Sequence, residues 1–255
     1  MTLMQPAVNS IVALLARTKV QPHQVVLAHT VIGLGAAWLL AGDSWILWVC
    51  AALLLQLKSL LDNVDGGLAR ATGRVTQMGR YLDTLMDLLV NASLFVALAQ
   101  HGPGWLALAA FAALTAVLSL EFNTMRRHVE ELGAAEAAAV PPGAPPGVLA
   151  GLAGAYALLL APQDRLFRRL DELLFARATG GTWKDAATVE RRRWADTYSV
   201  ATLVNLGLST QLLLLGICAA VGLPYAYVML VLAQIPYVLL VQATRLHRYR
   251  TAVPA

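Results

Sequence analysis

Long apolar runs separated by short polar turns fill most of the chain. Six runs are long enough, or nearly long enough with flanking residues, to cross a membrane, which takes about 20 residues. Short turns separate them, such as "AGDS" at 41–44, "QHGPG" at 100–104 and "VGLP" at 221–224. The pattern predicts an all-α integral membrane protein with six transmembrane helices, at Val25–Leu40, Trp45–Leu61, Tyr81–Ala99, Trp105–Leu120, Tyr198–Val221 and Tyr225–Val241.

A seventh run, Val148–Ala161, is shorter, and the charge distribution decides its placement. With six spans, the three turns quoted above lie on one side of the membrane and contain no Lys or Arg. All 19 basic residues then fall at or near the opposite face. Because cytoplasmic loops carry an excess of basic residues, we expect six spans in the inner or plasma membrane, with both termini cytoplasmic. Val148–Ala161 is then a shallow or re-entrant part of a cytoplasmic insert.

Two further segments carry an apolar stripe beside basic residues, a pattern typical of helices that lie at the membrane surface. One precedes Arg17 and Lys19, and the other runs from Arg165 to Arg177. The low-complexity stretch "AAEAAAVPPGAPPG" at 134–147 is predicted to be a connector. We therefore expect an interfacial amphipathic helix (1–20), transmembrane helices 1–4 (21–128), a cytoplasmic or interfacial insert (129–195), and transmembrane helices 5–6 with a basic tail (196–255).

The composition agrees with a membrane protein, since 58% of the residues are hydrophobic and only 13% are charged. The two cysteines, Cys50 and Cys218, lie inside apolar runs. They are interpreted as small buried hydrophobic residues, so that neither a disulfide framework nor a cysteine metal site is expected.

Two pairs of aspartates interrupt this apolar pattern. Asp62 and Asp65 follow the second span on one helix face, and Asp83 and Asp87 lie on one face of the third. Ionised carboxylates at a membrane are costly and usually functional. Four converging carboxylates repel one another, and oxygen-binding divalent cations are the natural compensation. A pair of Mg²⁺ or Mn²⁺ ions would neutralise them, and two ions about 4 Å apart suit displacement at phosphorus.

Two basic residues flank the first aspartate pair. Arg70 has the guanidinium geometry that suits a phosphate oxygen. Lys58 lies one turn before Asp62 and near the predicted end of its helix. Lys58 is either a pocket group or a lysine that extends its ammonium group to the interface, and the pattern favours the second interpretation.

The spacing of these residues resembles the signature of the CDP-alcohol phosphotransferase family. Every fixed residue and every gap is matched over this stretch: Asp62-x2-Asp65-Gly66-x2-Ala69-Arg70-x8-Gly79-x3-Asp83-x3-Asp87. The resemblance implies an enzyme of phospholipid biosynthesis that transfers a substituted phosphate group from a CDP-linked donor to an alcohol and releases CMP.

The resemblance also implies roles for the matched residues. Asp62, Asp65 and Asp83 would bind the metal ions, with Asp87 completing the site. Asp87 would also act as the base on the acceptor hydroxyl, although a fourth ligand without a proton role stays open. The CDP site would comprise Asp65, Gly66, Ala69, Arg70 and Gly79, with Arg70 on the diphosphate.

The partners implied by the resemblance are a CDP-linked lipid donor such as CDP-diacylglycerol, an alcohol or phospho-alcohol acceptor, membrane lipids and a second copy of the chain in a homodimer. No nucleic-acid partner is expected. Clustered arginines are compatible with a pocket for a phosphorylated acceptor such as inositol phosphate or glycerol 3-phosphate, and the candidate residues for such a pocket are Arg126, Arg191, Arg192 and Arg193. Alternatively, these arginines reflect only the usual excess of basic residues on the cytoplasmic side and their attraction to anionic lipid. The long insert departs from the compact loop expected of the family.

Two other classes of function stay open at this point. A cation- or proton-coupled transporter could use the same carboxylates for its driving ion. The lack of an internal repeat and the gathering of the acids at one face weigh against it. A catalytically silent scaffold would leave the complete acidic set without a role.

Overall fold

The computed structural model describes residues 4–132 and 140–251, and the regular secondary structure of this part of the chain is entirely helical, without a strand. The helices are α1 (Gln5–Leu15), α2 (Pro22–Leu40), α3 (Trp45–Ala71), α4 (Gln77–Leu98), α5 (Gly104–Glu131), α6 (Pro146–Leu159), α7 (Ala161–Thr179), α8 (Thr188–Trp194), α9 (Thr197–Leu203), α10 (Leu208–Ala220) and α11 (Ala226–Thr251).

The prediction of six membrane spans is confirmed for the described residues. Six segments are long and apolar enough to cross a membrane, namely α2, α3, α4, α5, the stretch Thr188–Ala220 and α11. The predicted fifth span is not one continuous helix, because a 3₁₀ turn at Val204–Leu206 separates α9 from α10. Helices α6 and α7 are bent by 52° relative to each other, as in a broken span or a re-entrant segment.

Several helices continue beyond the apolar runs that predicted them. The second span was expected to end at Leu61, whereas α3 continues to Ala71. Helices α5 and α11 likewise extend to Glu131 and Thr251. Hydropathy reports only the part of a helix that faces lipid, while backbone hydrogen bonding continues through polar residues. The motif aspartates of α3 therefore lie inside a helix and not in a loop after it.

The described residues form two compact units. The first lies within Met1–Phe111, Ala139–Ala157 and Leu208–Met229, and the second within Ala112–Ala138, Leu158–Gly207 and Leu230–Ala255. In the first unit, α2 packs against both α3 and α4, and α3 also packs against α1 and α10. Helix α2 thus lies beside the two helices that carry the aspartate motif.

Helix α1 uses its apolar face to pack against α3. Val8 is buried in a cluster with Val64 and Leu68 of α3. The contact is close because Gly67 has no side chain, and a Cβ atom there would lie 2.9 Å from Val12 Cγ2. The amphipathic pattern of α1 is therefore at least partly a pattern for packing on α3.

The end of the low-complexity connector lies against the start of α4. The amides of Gln77 and Met78 donate to the carbonyl oxygens of Pro141 and Pro142, at 2.9 and 3.1 Å. Gly143 adopts a left-handed conformation (φ 73°) next to Thr76, the N-cap residue of α4. The Thr76 hydroxyl in turn accepts a hydrogen bond from the Gly79 amide at 3.0 Å. These contacts satisfy amides that a helix leaves unpaired at its N-terminus.

The second unit has a core of aromatic and charged side chains. Phe175 and Trp194 are buried and their rings meet edge to face. Asp171 forms ion pairs with Arg127 at 3.0 Å and with Arg245 at 2.7 Å. This shared carboxylate compensates both buried guanidinium groups, which a membrane-bound helix cluster otherwise tolerates poorly.

Candidate metal centre and active site

The structure brings the four motif aspartates together, as the spacing predicted. Asp62 and Asp65 lie on α3, and Asp83 and Asp87 lie on α4. Two positively polarised side chains from outside the motif join them. His29 of α2 contacts the group that contains Asp65, and Lys58 of α3 links Asp62 to Asp87.

His29 is a site residue that the sequence reasoning missed. Its side chain is fully buried, with Nε2 2.9 Å from Asp65 Oδ2 and 3.8 Å from one carboxylate oxygen each of Asp62 and Asp83. An ionised carboxylate only accepts hydrogen bonds, so His29 donates through Nε2 to Asp65. Its sequence signal is weak, because a single histidine in an apolar helix is compatible with many structures.

The interpretation of Lys58 as a lysine extending to the interface is wrong. Its side chain is 1% exposed, and Nζ lies 2.9 Å from Asp62 Oδ1 and 2.5 Å from Asp87 Oδ1. The error follows from the predicted helix end. Because α3 continues to Ala71, Lys58 is well inside the helix and its ammonium group faces the carboxylates.

The geometry of the site suits a metal ion. Within the described residues, potential ligand atoms of His29, Asp62, Asp65 and Asp83 all lie within 4.8 Å of one another. Asp83 Oδ1 is buried and makes no hydrogen bond within the part of the chain that the structure describes, since His29 Nε2 is 3.8 Å away. A buried carboxylate oxygen without a partner is costly. Carboxylate-rich sites of this kind favour hard cations such as Mg²⁺ and Mn²⁺, so the residues fit a divalent ion.

The small residues of the motif leave space around the acids. A Cβ atom on Gly66 would lie 3.3 Å from Arg70 Nη1, so the guanidinium group folds back over the glycine. Arg70 is exposed and Ala69 is half-buried. At Gly79, the hydroxyl oxygen of Thr76 is the one side-chain atom of the described residues within 4 Å of the position of a Cβ atom, at 3.1 Å. The glycine therefore keeps one side of α4 open near Asp83.

The four arginines predicted to bind the acceptor belong to the second unit, where each has a partner. Arg126 pairs with Glu130 at 2.8 Å, and Arg191 pairs with Glu131 at 3.3 Å. Arg192 donates to the carbonyl oxygen of Glu131, and Arg193 donates to that of Tyr249. These contacts are structural, and the acceptor role of the four arginines stays a prediction.

Comparison with protein families identifies the family to which the chain belongs. Its sequence matches the profile of the CDP-alcohol phosphatidyltransferase family over residues 11–182. This match covers more than half of the 255 residues, so the chain belongs to that family. The family and the six apolar helices indicate an integral membrane protein. The assignment confirms the resemblance drawn from the motif and gives no support to the transporter alternative.

Curated relatives match the chain over part of its length. A bifunctional IPC transferase and DIPP synthase of Thermococcus kodakarensis is 32% identical over 111 residues, which cover 42% of this chain and 24% of the relative. An archaetidylinositol phosphate synthase of Pyrococcus horikoshii is 35% identical over 88 residues, covering 34% and 45%. A phosphatidylinositol phosphate synthase of Corynebacterium glutamicum is 33% identical over 94 residues, covering 37% and 42%. The matched stretch thus spans less than half of each of these relatives.

Proposed function

We propose that the protein is a membrane enzyme that transfers a phosphatidyl group from a CDP-linked lipid to an alcohol and releases CMP. The observation that carries the proposal is the convergence of Asp62, Asp65, Asp83 and Asp87 from α3 and α4, in a member of the CDP-alcohol phosphatidyltransferase family. The donor keeps its acyl chains in lipid while its headgroup reaches the polar side chains. A site at the polar end of membrane helices suits such a half-apolar substrate.

The chain's own residues divide into three roles in this proposal. Asp62, Asp65 and Asp83 hold Mg²⁺ or Mn²⁺, and His29 orients Asp65 through its hydrogen bond. Asp87 completes the acidic set. Gly66, Ala69 and Gly79 leave room for the cytidine, and Arg70 binds the diphosphate with its fork of N–H donors. The exposed guanidinium group of Arg70 over Gly66 supports this assignment.

In the proposed reaction, Asp87 accepts the proton of the acceptor hydroxyl. The acceptor oxygen forms a bond to the β-phosphorus of the donor, and the bond from that phosphorus to the bridging oxygen breaks. CMP leaves with the electron pair of the broken bond. A bound divalent ion supplies stabilisation of the negative charge that develops on the phosphate oxygens. Lys58 keeps Asp87 in place through a hydrogen bond from its ammonium group.

For the substrates, we propose CDP-diacylglycerol as donor and inositol phosphate as acceptor. The acceptor is supported by the relatives from Pyrococcus horikoshii and Corynebacterium glutamicum, which are named as inositol phosphate lipid synthases. Glycerol 3-phosphate is the second phospho-alcohol to test. A homodimer and a cytoplasmic active site complete the proposal.

The proposal is tested by CMP release from CDP-diacylglycerol by the purified chain in detergent. The reaction is run with Mg²⁺ or Mn²⁺ and with inositol phosphate, glycerol 3-phosphate, inositol, serine or no alcohol. We expect metal-dependent release that inositol phosphate stimulates most. Stimulation by another alcohol would overturn the acceptor assignment alone, and no release with any of them would contradict the transferase.

Two substitutions test the residues. Asp83→Asn and Asp87→Asn each remove a charge from the site with little change in volume. Asp87→Asn removes the proposed base, so CMP release should fall at least about 100-fold, the lower range for acid–base assistance. Asp83→Asn removes the charge of a proposed metal ligand, so CMP release should fall strongly as well. Asp43→Asn is the matched control, because the Asp43 side chain is 96% exposed. Normal activity of a folded Asp87→Asn protein would exclude Asp87 as the base.

A further inference from the structure

Lys58 divides the acidic site into two parts. Its ammonium group lies within hydrogen-bond distance of Asp62 on its own helix and of Asp87 on α4. Because the side chain is 1% exposed, water screens this charge little. An ammonium group buried in this way is stable only where carboxylates compensate it. Lys58 is therefore a fixed cation of the site.

The potential metal ligands lie in one of these two parts, and Asp87 lies in the other. Among the described residues, the group whose ligand atoms lie within 4.8 Å of one another contains His29, Asp62, Asp65 and Asp83, and it does not include Asp87. Asp87 instead has the ammonium group of Lys58 at 2.5 Å. Asp62 belongs to both parts, since it contacts His29 at 3.8 Å and Lys58 at 2.9 Å.

In a two-metal site, two cations lie about 3.5–4 Å apart among the same set of ligands. Here Asp62 belongs to the group of potential metal ligands that also contains His29, Asp65 and Asp83. Asp62 also contacts a cation that is already present, the ammonium group of Lys58. A second divalent ion between Asp62 and Asp87 would have to displace the ammonium group or lie in contact with it. Like charges at that distance repel strongly where water is excluded.

We infer that Lys58 takes the place of a second divalent cation, so that the chain binds one metal ion and not the pair suggested by the four aspartates. The inference rests on the proposed function, because it concerns the same site. One divalent ion and one ammonium group leave the four carboxylates with a net charge of −1, whereas a second divalent ion beside Lys58 would make the site cationic, with a net charge of +1. In this arrangement Lys58 is a positioning residue, which holds Asp87 apart from the metal ligands.

The test counts metal ions. Mn²⁺ is titrated into the purified 255-residue chain in detergent, and free Mn²⁺ is followed by electron paramagnetic resonance. The variants are Lys58→Met, which removes the charge at similar length, and Lys58→Arg, which keeps it. Lys184→Met is the matched control, because Lys184 is exposed.

We expect one tightly bound Mn²⁺ per chain in the wild type, in Lys58→Arg and in Lys184→Met, and two in Lys58→Met. Two tight Mn²⁺ ions in the wild type would overturn the inference and leave the proposed enzyme intact, as would a count of one in folded Lys58→Met. No Mn²⁺ binding in the wild type would overturn the metal site and this inference together. If Lys58→Met does not fold, the number of Mn²⁺ ions bound to the wild type still tests whether the chain binds one metal ion or two.

Discussion

At the scale of single residues, the motif aspartates depend on two side chains that the motif does not contain. His29 and Lys58 are both buried, and each contacts carboxylates from α3. Carboxylates that converge without such partners would repel one another and turn away. The two residues therefore hold the acids in an arrangement that is ready for a metal ion.

The role of His29 leads to a prediction about metal affinity. His29→Ala removes the donor that orients Asp65, and loss of such an orienting partner typically weakens metal binding by about 10–100-fold. We expect the Mn²⁺ concentration for half-maximal CMP release, and the Mn²⁺ dissociation constant in the absence of substrate, to rise together by that factor.

His247→Ala is the matched control, because His247 is exposed. His29→Gln provides a second comparison, since its side-chain amide can still donate a hydrogen bond to Asp65, and it should recover part of the affinity. Equal Mn²⁺ affinity of the wild type and a folded His29→Ala protein would contradict the orienting role.

The aspartates could be predicted from sequence, while their partners could not. Asp62 and Asp65, like Asp83 and Asp87, are close along a helix, so spacing alone places each pair on one face. His29 lies 36 positions before Asp65, and only helix packing brings them together. Lys58 was visible but misinterpreted, because its role depends on how far α3 continues.

At the scale of helices, the contact between α2 and α4 sets the position of His29 relative to the acids. Gly33 lies one turn after His29 and faces Val90 of α4. A Cβ atom on Gly33 would lie 2.7 Å from Val90 Cγ1, which is too close for packed atoms. The β-branched side chain of Val90 has little freedom to move away.

We predict that Gly33→Ala destabilises the protein by about 1–3 kcal/mol, the typical cost of overpacking a close contact. The expected result is a lower midpoint of thermal unfolding in detergent, together with weaker Mn²⁺ binding, because the displaced α2 carries His29. Both quantities are measured on the same purified sample.

Gly35→Ala is the matched control two residues away, where the nearest atom to a Cβ would be Leu54 Cδ1 at 3.8 Å. That distance is ordinary contact, so the midpoint should stay the same or rise, since alanine favours a helix by about 0.5–1 kcal/mol over glycine. An equal midpoint for both variants would refute the close packing of α2 on α4.

The helices themselves were mostly predictable, because a membrane span needs a long apolar run and the chain has few other apolar segments. Their ends were not predictable in the same way. The stretch from Asp62 to Ala71 is more polar than the rest of α3, yet its backbone continues the helical hydrogen bonding. A hydropathy pattern detects the loss of apolar residues and not the continuing helix. The break at Val204–Leu206 was missed for a related reason, since a single polar residue, Asn205, does not end the apolar run while the backbone changes there.

At the scale of the whole molecule, the basic residues decide the orientation in the membrane. The loops at 41–44, 100–104 and 221–224 contain no Lys or Arg. The positive-inside rule therefore predicts that these loops lie outside and the aspartate site inside. On this prediction, the bent pair α6 and α7 begins and ends on the cytoplasmic side.

This orientation predicts the outcome of reporter fusions. Alkaline phosphatase, which is active only outside the cytoplasm, should be inactive when fused after Gly180, between α7 and α8. A fusion after Gly102, between α4 and α5, is the matched control and should be active. An active Gly180 fusion would establish a seventh span and reverse the placement of every later segment.

The part of the connector that contains Pro141, Pro142 and Gly143 has a consequence for how anions can bind. The start of a helix commonly holds a phosphate group through its free amides and its dipole. In α4 the amides of Gln77 and Met78 are already occupied by the carbonyl oxygens of Pro141 and Pro142, and that of Gly79 by the Thr76 hydroxyl. The backbone of α4 thus has no anion hole to offer. The two proline carbonyl oxygens thus occupy donors that could otherwise bind a phosphate group, so any binding of an anion beside this helix would have to come from side chains.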